Sequence, residues 1–136
     1  METQKIKETL PVTRTLRATV TEDLLAVRVG SGTLRVLGTP VLARLYEQAA
    51  QELAGLYCDV GMTTVGTALS LSHDAPTPCG MDFSVTVTLV GREGRVFTFA
   101  LEAADATGLI SKGTHTRVAV PAEKFQAKAD GRRNRP

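Results

Sequence analysis

Hydrophobic and polar residues alternate through the second half of the chain, as they do in β-strands with one buried face. Phe83, Val85 and Val87 are separated by serine and threonine. The alternation predicts antiparallel strands at about 63–74, 81–90, 95–105 and 110–120. An earlier alternating segment, 13–20, predicts one more strand, and the glycines within 91–94 predict a hairpin connection.

A different periodicity, with apolar residues three and four positions apart, predicts one long helix from Pro40 to about Tyr57. Thr39 suits the N-cap of this helix, and Pro40 suits the first turn, where a missing N–H costs nothing. The stripe expected to face the core consists of Leu42, Leu45, Ala49, Leu53 and Leu56. Glu47 lies on a second flank, where small side chains would let another backbone approach closely. This alanine flank consists of Ala43, Ala50 and Ala54.

Together these elements predict an α+β protein in which the long helix covers one face of an antiparallel sheet. A short helical turn at 21–23, closed by the glycines of 30–32, precedes them. The pattern alone also permits other arrangements of a helix on a sheet. The chain of 136 residues is long enough for one domain with an ordinary core, which we assign to residues 1–127.

Charge changes this picture only at the C-terminus. Residues 128–136 hold four basic side chains against the single acid Asp130, so the rest of the chain is close to neutral. We expect this basic segment to be a disordered tail and expect no nucleic-acid partner, because aromatic residues for base stacking make up only 4% of the chain. No membrane association is expected either, since no segment approaches the roughly 18 apolar residues of a membrane span.

The cysteines and histidines narrow the possible chemistry. Cys58 and Cys79 lie far apart and no secretory segment precedes them, so we expect a cytoplasmic protein. These thiols and the two histidines lack the spacing of metal ligands, and a GxSxG nucleophile elbow is missing. His115 is interpreted as structural or as orienting a ligand. His73 is the stronger candidate, because it ends the strand 63–74 and begins a loop rich in proline and glycine.

Several short motifs follow one another in a specific order: Gly38-Thr39-Pro40, Glu47, Val65-Gly66-Thr67, His73, Ala75-Pro76-Thr77-Pro78 with Gly80, Gly108-Leu109-Ile110, Gly113-Thr114-His115 with Arg117, and Glu123-Lys124-Phe125. In this order the chain resembles, over about residues 12–128, the fluoroacetyl-CoA thioesterase type of hot-dog-fold protein. The resemblance implies a sheet wrapped around one long central helix. It also implies an acyl-CoA hydrolase, a homodimer or dimer of dimers, that uses no cofactor beyond the CoA of its substrate. The alanine flank and the free sheet edges independently favour self-association.

The resemblance further implies that Thr39, Glu47 and His73 are catalytic. Thioester hydrolysis requires an activated water or nucleophile, a proton carrier and donors to the oxyanion. Glu47 would act as general base or as direct nucleophile, while His73 would orient it or protonate the departing thiolate. Thr39 would hold water or substrate, and the Gly66 amide would donate to the carbonyl oxygen. The residues expected to contact substrate are Pro40, Gly66 and Thr67.

The spacing of these residues leaves alternatives open. Eight residues of helix rise about 12 Å, so Thr39 and Glu47 cannot hydrogen-bond within one regular helix. Either the helix start is irregular, or substrate lies between them, or two subunits contribute to one site. Simpler roles also exist: Thr39 as an N-cap, Glu47 as a solvated partner of Arg44, and His73 as a packed residue sharing a strand face with Thr67.

One segment departs from the family pattern. The fluoroacetyl-CoA enzyme has phenylalanines in a lid just before its catalytic threonine, whereas residues 30–37 contain no aromatic side chain. We therefore expect a small or medium acyl group without specificity for fluoroacetyl. A hot-dog hydratase is disfavoured, because Ala68 and Ile110 stand where its aspartate would precede each histidine. A non-catalytic dimer that binds acyl-CoA or a small ligand is the alternative.

Overall fold

The computed structural model describes residues 10–134 as a five-stranded antiparallel sheet covered by one long helix. The strands are β1 (Thr13–Thr19), β2 (Met62–His73), β3 (Asp82–Glu93), β4 (Val96–Asp105) and β5 (Gly108–Pro121). The helices are α1 (Ala26–Val29), α2 (Thr39–Gly55) and α3 (Ala122–Gly131), with 3-10 turns at Glu22–Leu24 and Arg132–Asn134. The predicted α+β class is confirmed. Residues 1–9 of the predicted domain and residues 135–136 of the predicted tail lie outside the described residues.

The strand order is β1-β3-β4-β5-β2, so β1 and β2 form the two edges of the sheet. Helix α2 packs across β1, β2, β3 and β4. The inner face of the sheet carries large apolar side chains such as Val87, Phe97 and Phe99, which are fully buried. Strand β2 pairs with β5 along one side only, which leaves its other side open.

A β-bulge interrupts the pairing of β2 with β5. Gly66 pairs with Arg117 and Ala68 pairs with the preceding residue of β5, so Thr67 is an extra residue in β2. Side chains alternate between the faces of a strand, and an extra residue resets that alternation. As a result Gly66 and His73 both lie on the face covered by α2.

The apolar stripe of α2 is buried as predicted, with one exception. Leu42, Leu45, Ala49 and Leu53 lie in the core. Leu56 does not, since the helix ends at Gly55 and its side chain is 52% exposed. The alanine flank also differs from expectation, because Ala50 and Ala54 are completely buried in the same core. Ala43 is half-buried, so the flank provides little free surface for a second subunit.

Two predicted boundaries shift in the structure. Helix α2 begins at Thr39 with Gly38 as its N-cap, so the predicted capping role of Thr39 is wrong. Strand β3 continues to Glu93, and the hairpin turn falls at Gly94 and Arg95 instead of residues 91–94. Gly94 has φ 60°, a conformation that glycine adopts without strain.

The basic C-terminal segment differs from the expected disordered tail. Helix α3 continues to Gly131 and a 3-10 turn follows to Asn134. The alanines, lysines and Gln126 of α3 are strong helix formers, so local propensity outweighs the net charge. No residue of α3 is buried. The helix is tied to the rest of the fold by a hydrogen bond at its start, where the Ala122 N–H donates to the Gly61 carbonyl at 2.9 Å. Among residues 10–134, no helix is long and apolar enough to cross a membrane.

Candidate active site

Two of the catalytic candidates meet where α2 begins and β2 ends. Thr39 Oγ1 lies 2.8 Å from His73 Nδ1, a hydrogen bond between residues 34 positions apart. No side chain caps the start of α2, so the Thr39 hydroxyl is not used for capping. The local fold of Gly38-Thr39-Pro40 thus presents this hydroxyl to the histidine.

The environment of His73 favours its neutral form. Burial lowers the pKa of the imidazole, although Asp74 and the backbone of Ala75 act in the opposite direction. Its Nε2 atom is buried and has no hydrogen-bond partner among the described residues. A neutral imidazole carries one proton and one lone pair, so His73 can both accept and donate a proton.

A cavity of about 260 Å³ opens beside this pair. It is lined by Ala26, Ser31, Val36, Leu37, Thr39, His73, Asp74, Ala75 and Pro76. Apart from His73 and the acidic Asp74 these residues are small or aliphatic, so the wall carries none of the aromatic side chains of a phenylalanine lid. A larger open groove, about 520 Å³, lies along β1, β3 and β4 and is lined by none of the candidate residues.

Behind His73, a buried hydrogen bond ties α2 to β5. Tyr46 donates its hydroxyl to Ser111 Oγ at 2.7 Å, and Ser111 is the direct cross-strand neighbour of His73. Both side chains are almost completely buried, and burial raises the pKa of Tyr46. This pair was not identified from the sequence, because nothing in the local pattern indicates that the two residues meet.

Glu47 belongs to a second cluster, formed with Arg117 of β5. Glu47 Oε2 lies 3.7 Å from Arg117 Nη1, and the ion-pair partner is therefore Arg117 instead of Arg44. The carboxylate side chain is 49% exposed, whereas Arg117 is 7% exposed. Glu47 consequently presents a solvent-accessible carboxylate that is oriented by a buried cation.

Gly66 lets this carboxylate lie directly against the backbone of β2. A Cβ atom at Gly66 would lie 3.1 Å from Glu47 Oε2 and 3.1 Å from His115 Cε1. It would also lie 3.3 Å from Arg117 Nη1. A larger residue here would force the Glu47 carboxylate, the His115 ring or the Arg117 guanidinium to move by a few tenths of an ångström.

Arg117 is held rigidly in this cluster. Its Nε donates to Thr64 Oγ1 at 2.8 Å and its Nη2 donates to the Thr64 carbonyl at 2.9 Å. Burial lowers the pKa of Arg117, while Glu47 acts in the opposite direction. The sequence predictions named Arg117 only as part of a motif and gave it no role. A charged residue at an inward-facing position of an alternating strand is the signal that could have identified Arg117.

The remaining predicted contacts, Thr67 and Pro40, lie apart from both clusters. Thr67 donates its hydroxyl to the Thr116 carbonyl at 3.3 Å, a bond that secures the bulge. Pro40 is exposed in the first turn of α2 and is not one of the residues lining the 260 Å³ cavity.

Within one chain the two clusters remain separate. Helix α2 is regular from Thr39 onward, so an irregular helix start does not shorten the rise of about 12 Å between Thr39 and Glu47. Along β2, Gly66 and His73 are separated by roughly 20 Å of extended chain. Two of the alternatives drawn from the spacing therefore remain: substrate lies between the clusters, or two subunits contribute to one site.

Comparison with known proteins identifies the family. The fluoroacetyl-CoA-specific thioesterase family matches residues 20–123. The fluoroacetyl-CoA thioesterase of Streptantibioticus cattleyicolor is 36% identical over 93 residues, which are 68% of this chain and 67% of the relative. A solved structure of the fluoroacetyl-CoA thioesterase FlK has 28% identity and a TM-score of 0.83, covering 93% of this chain and 97% of that chain.

A further structure supports the fold alone. A hot-dog-like protein from Thermanaerovibrio acidaminovorans is 20% identical with a TM-score of 0.85, covering 94% of this chain and 95% of that chain. The resemblance and the hot-dog fold expected from the sequence are both confirmed. The chain is a thioester hydrolase of the hot-dog fold and belongs to the fluoroacetyl-CoA-specific thioesterase family.

Proposed function

We propose that the protein hydrolyses a small or medium acyl-CoA to a carboxylate and CoA, with Thr39, Glu47 and His73 as its catalytic residues. The observation that carries this proposal is the hydrogen bond between Thr39 and His73 beside an open cavity. A thiol-release assay across a panel of acyl-CoAs tests it, and a protein that releases no CoA from any of them would refute it.

Water, activated by Glu47, is the proposed nucleophile. The carboxylate takes one proton from water as the oxygen bonds to the thioester carbon, and the Gly66 N–H donates to the carbonyl oxygen. When the C–S bond breaks, the Nε2–H of His73 donates a hydrogen bond to the departing thiolate, which takes up the proton that Glu47 removed from water. Thr39 supports this last step by donating to Nδ1, which leaves the proton of the imidazole on Nε2. Direct attack by Glu47 would use the same groups, with water then hydrolysing the acyl intermediate.

A homodimer explains how the two clusters combine. Strand β2 is an open edge, and two copies related by a two-fold axis would pair this edge antiparallel. Antiparallel pairing brings the His73 end of one strand beside the Met62 to Gly66 half of the other. The proposed site therefore combines Thr39 and His73 of one protomer with Glu47 and Gly66 of its partner.

We expect the protein to sediment as a dimer, or as a dimer of dimers, at micromolar concentration. A folded monomer under these conditions would contradict the proposal. A mixing experiment tests the shared site directly, using Glu47→Gln and His73→Ala proteins that are each inactive. Random exchange of subunits would make half of the dimers mixed, each with one intact site, and should restore about a quarter of wild-type activity. If all site residues came from one chain, mixing would restore nothing.

The proposed substrate range follows from the cavity wall. Ala26, Ser31 and Val36 line it and its wall carries no phenylalanine, so we expect no strong preference for fluoroacetyl-CoA over acetyl-CoA. A plain apolar pocket discriminates small groups by only about 10- to 200-fold. The measurement is kcat/KM for fluoroacetyl-, acetyl-, butyryl- and phenylacetyl-CoA under one condition. A preference for the fluorinated substrate beyond roughly a thousandfold would contradict this expectation.

We further propose a cytoplasmic enzyme that needs no cofactor beyond the CoA of its substrate and binds neither nucleic acid nor membranes. Both cysteines are free thiols, which fits a reducing compartment. Within residues 10–134, His, Cys, Asp and Glu do not gather in groups of three or more that could hold a metal ion. The proposed steps use only side chains, one backbone amide and water.

A further inference from the structure

His115 lies beside the Glu47 cluster, next to both Gly66 and Arg117. It is 2% exposed on the inner face of β5, and its ring lies against that of Phe99 with centroids 6.1 Å apart. Its Nδ1 lies 2.7 Å from the Ala68 carbonyl. Because a carbonyl oxygen only accepts, Nδ1 carries the proton of the imidazole. The Nε2 atom therefore holds a lone pair.

That lone pair faces Arg117, with Nη1 and Nε2 3.3 Å apart. The Nε and Nη2 atoms of Arg117 are both bound to Thr64, so Nη1 is the nitrogen that points toward Glu47. His115 accepts from this same nitrogen. The His115 imidazole thus holds the Arg117 guanidinium in the orientation that points Nη1 at the Glu47 carboxylate.

The other hydrogen bond of His115 reaches the bulge. Ala68 is the first paired residue after the extra residue Thr67, so its carbonyl marks where the strand returns to register. His115 Cε1 also lies 3.1 Å from the position that a Cβ of Gly66 would take. One buried ring therefore contacts the bulge, the glycine and the arginine, without being exposed to substrate itself.

We propose that His115 is a positioning residue, which links the β2 bulge to Arg117 and thereby sets the Glu47 carboxylate relative to the Gly66 amide. The inference rests on the proposed function for its catalytic consequence. A histidine that merely filled the core would affect stability alone. A positioning histidine must also affect the rate of the chemical step.

Three substitutions test the two hydrogen bonds of His115 individually. His115→Phe fills the space but makes neither bond, His115→Asn keeps a donor near Nδ1, and His115→Gln keeps an acceptor near Nε2. We expect the phenylalanine variant to lose at least about tenfold in kcat with little change in KM, as for a lost interaction that acts in the transition state. The glutamine variant should recover part of that loss. Phe99→Leu is the control, since it loosens packing against the same ring and should retain kcat.

A second readout does not depend on turnover. Nitrogen-15 NMR of the imidazole reports which ring nitrogen is protonated, and the side-chain N–H signals of Arg117 report its hydrogen bonds. We expect the Nδ1–H form in the wild-type protein and a shifted Arg117 signal in His115→Phe. An Nε2–H form, or normal kcat in His115→Phe, would overturn the inference. Wild-type protein without thioesterase activity would instead refute the proposed function, and the NMR signals would still decide whether this network exists.

Discussion

Replacing Glu47 with glutamine is expected to lower acyl-CoA hydrolysis by at least about a hundredfold while the fold stays intact, the scale of a lost general base. The amide keeps the size of the side chain but cannot take a proton from water. The side chain is half exposed, its contact with Arg117 is long, at 3.7 Å, and Arg117 keeps its two hydrogen bonds to Thr64, so the fold should survive the change. The measurement is kcat/KM by thiol release, together with the melting temperature.

Glu52→Gln is the matched control for this experiment. Glu52 lies on the same helix and pairs with Arg14 at the surface, away from Gly66 and Arg117. Its substitution should leave hydrolysis unchanged. Near-normal turnover in Glu47→Gln would mean that the carboxylate serves only to balance the charge of Arg117.

Replacing His73 with alanine should reduce hydrolysis by a factor on the order of a hundred, because the departing thiolate loses its hydrogen-bond donor. Burial lowers the pKa of His73, so the neutral form that accepts from Thr39 persists below the ordinary histidine value. As pH falls through that lowered pKa, the imidazole gains a second proton and becomes a stronger donor to the thiolate, so the contribution of His73 to kcat/KM should rise. The pH profile of the alanine variant should lack this titration.

Ser70→Ala is the control for His73, since Ser70 is an exposed residue of the same strand on the opposite face. It should retain the wild-type rate and pH profile. A His73→Ala protein with the wild-type rate would leave the histidine as a packed residue at a strand end.

Much of the fold could be predicted from periodicity. The alternation of Phe83, Val85 and Val87 and the helical spacing of Leu42, Leu45 and Leu53 both report burial, and burial decides which face of an element meets the core. The prediction that failed concerns the alanine flank, for which periodicity gives no such signal. Small residues are compatible with a core and with an interface alike, so the burial of Ala50 and Ala54 could not be distinguished from an exposed flank.

The candidate site was predicted only as a set of residues. Motif order identified Thr39, Glu47 and His73, but their partners come from distant parts of the chain. Glu47 meets Arg117, 70 positions away, because the register of β2 with β5 places Arg117 opposite Gly66. Register depends on pairing between strands, and a single strand contains no information about the bulge that shifts it.

The extra residue Thr67 restricts how the length of β2 can change. Gly66 and His73 stand an odd number of positions apart, yet both face α2, because Thr67 is left out of the pairing. Removing Thr67 together with the bulge would leave an even number of positions between the two in a regular strand, so both would still face the helix, whereas a regular strand that kept Thr67 would turn one of them away. Insertions or deletions of an even number of residues between them are therefore compatible with the site while the bulge stays, and an odd change requires that the bulge be gained or lost with it. Grafting β2 between members of the family must therefore transfer the spacing and the bulge together.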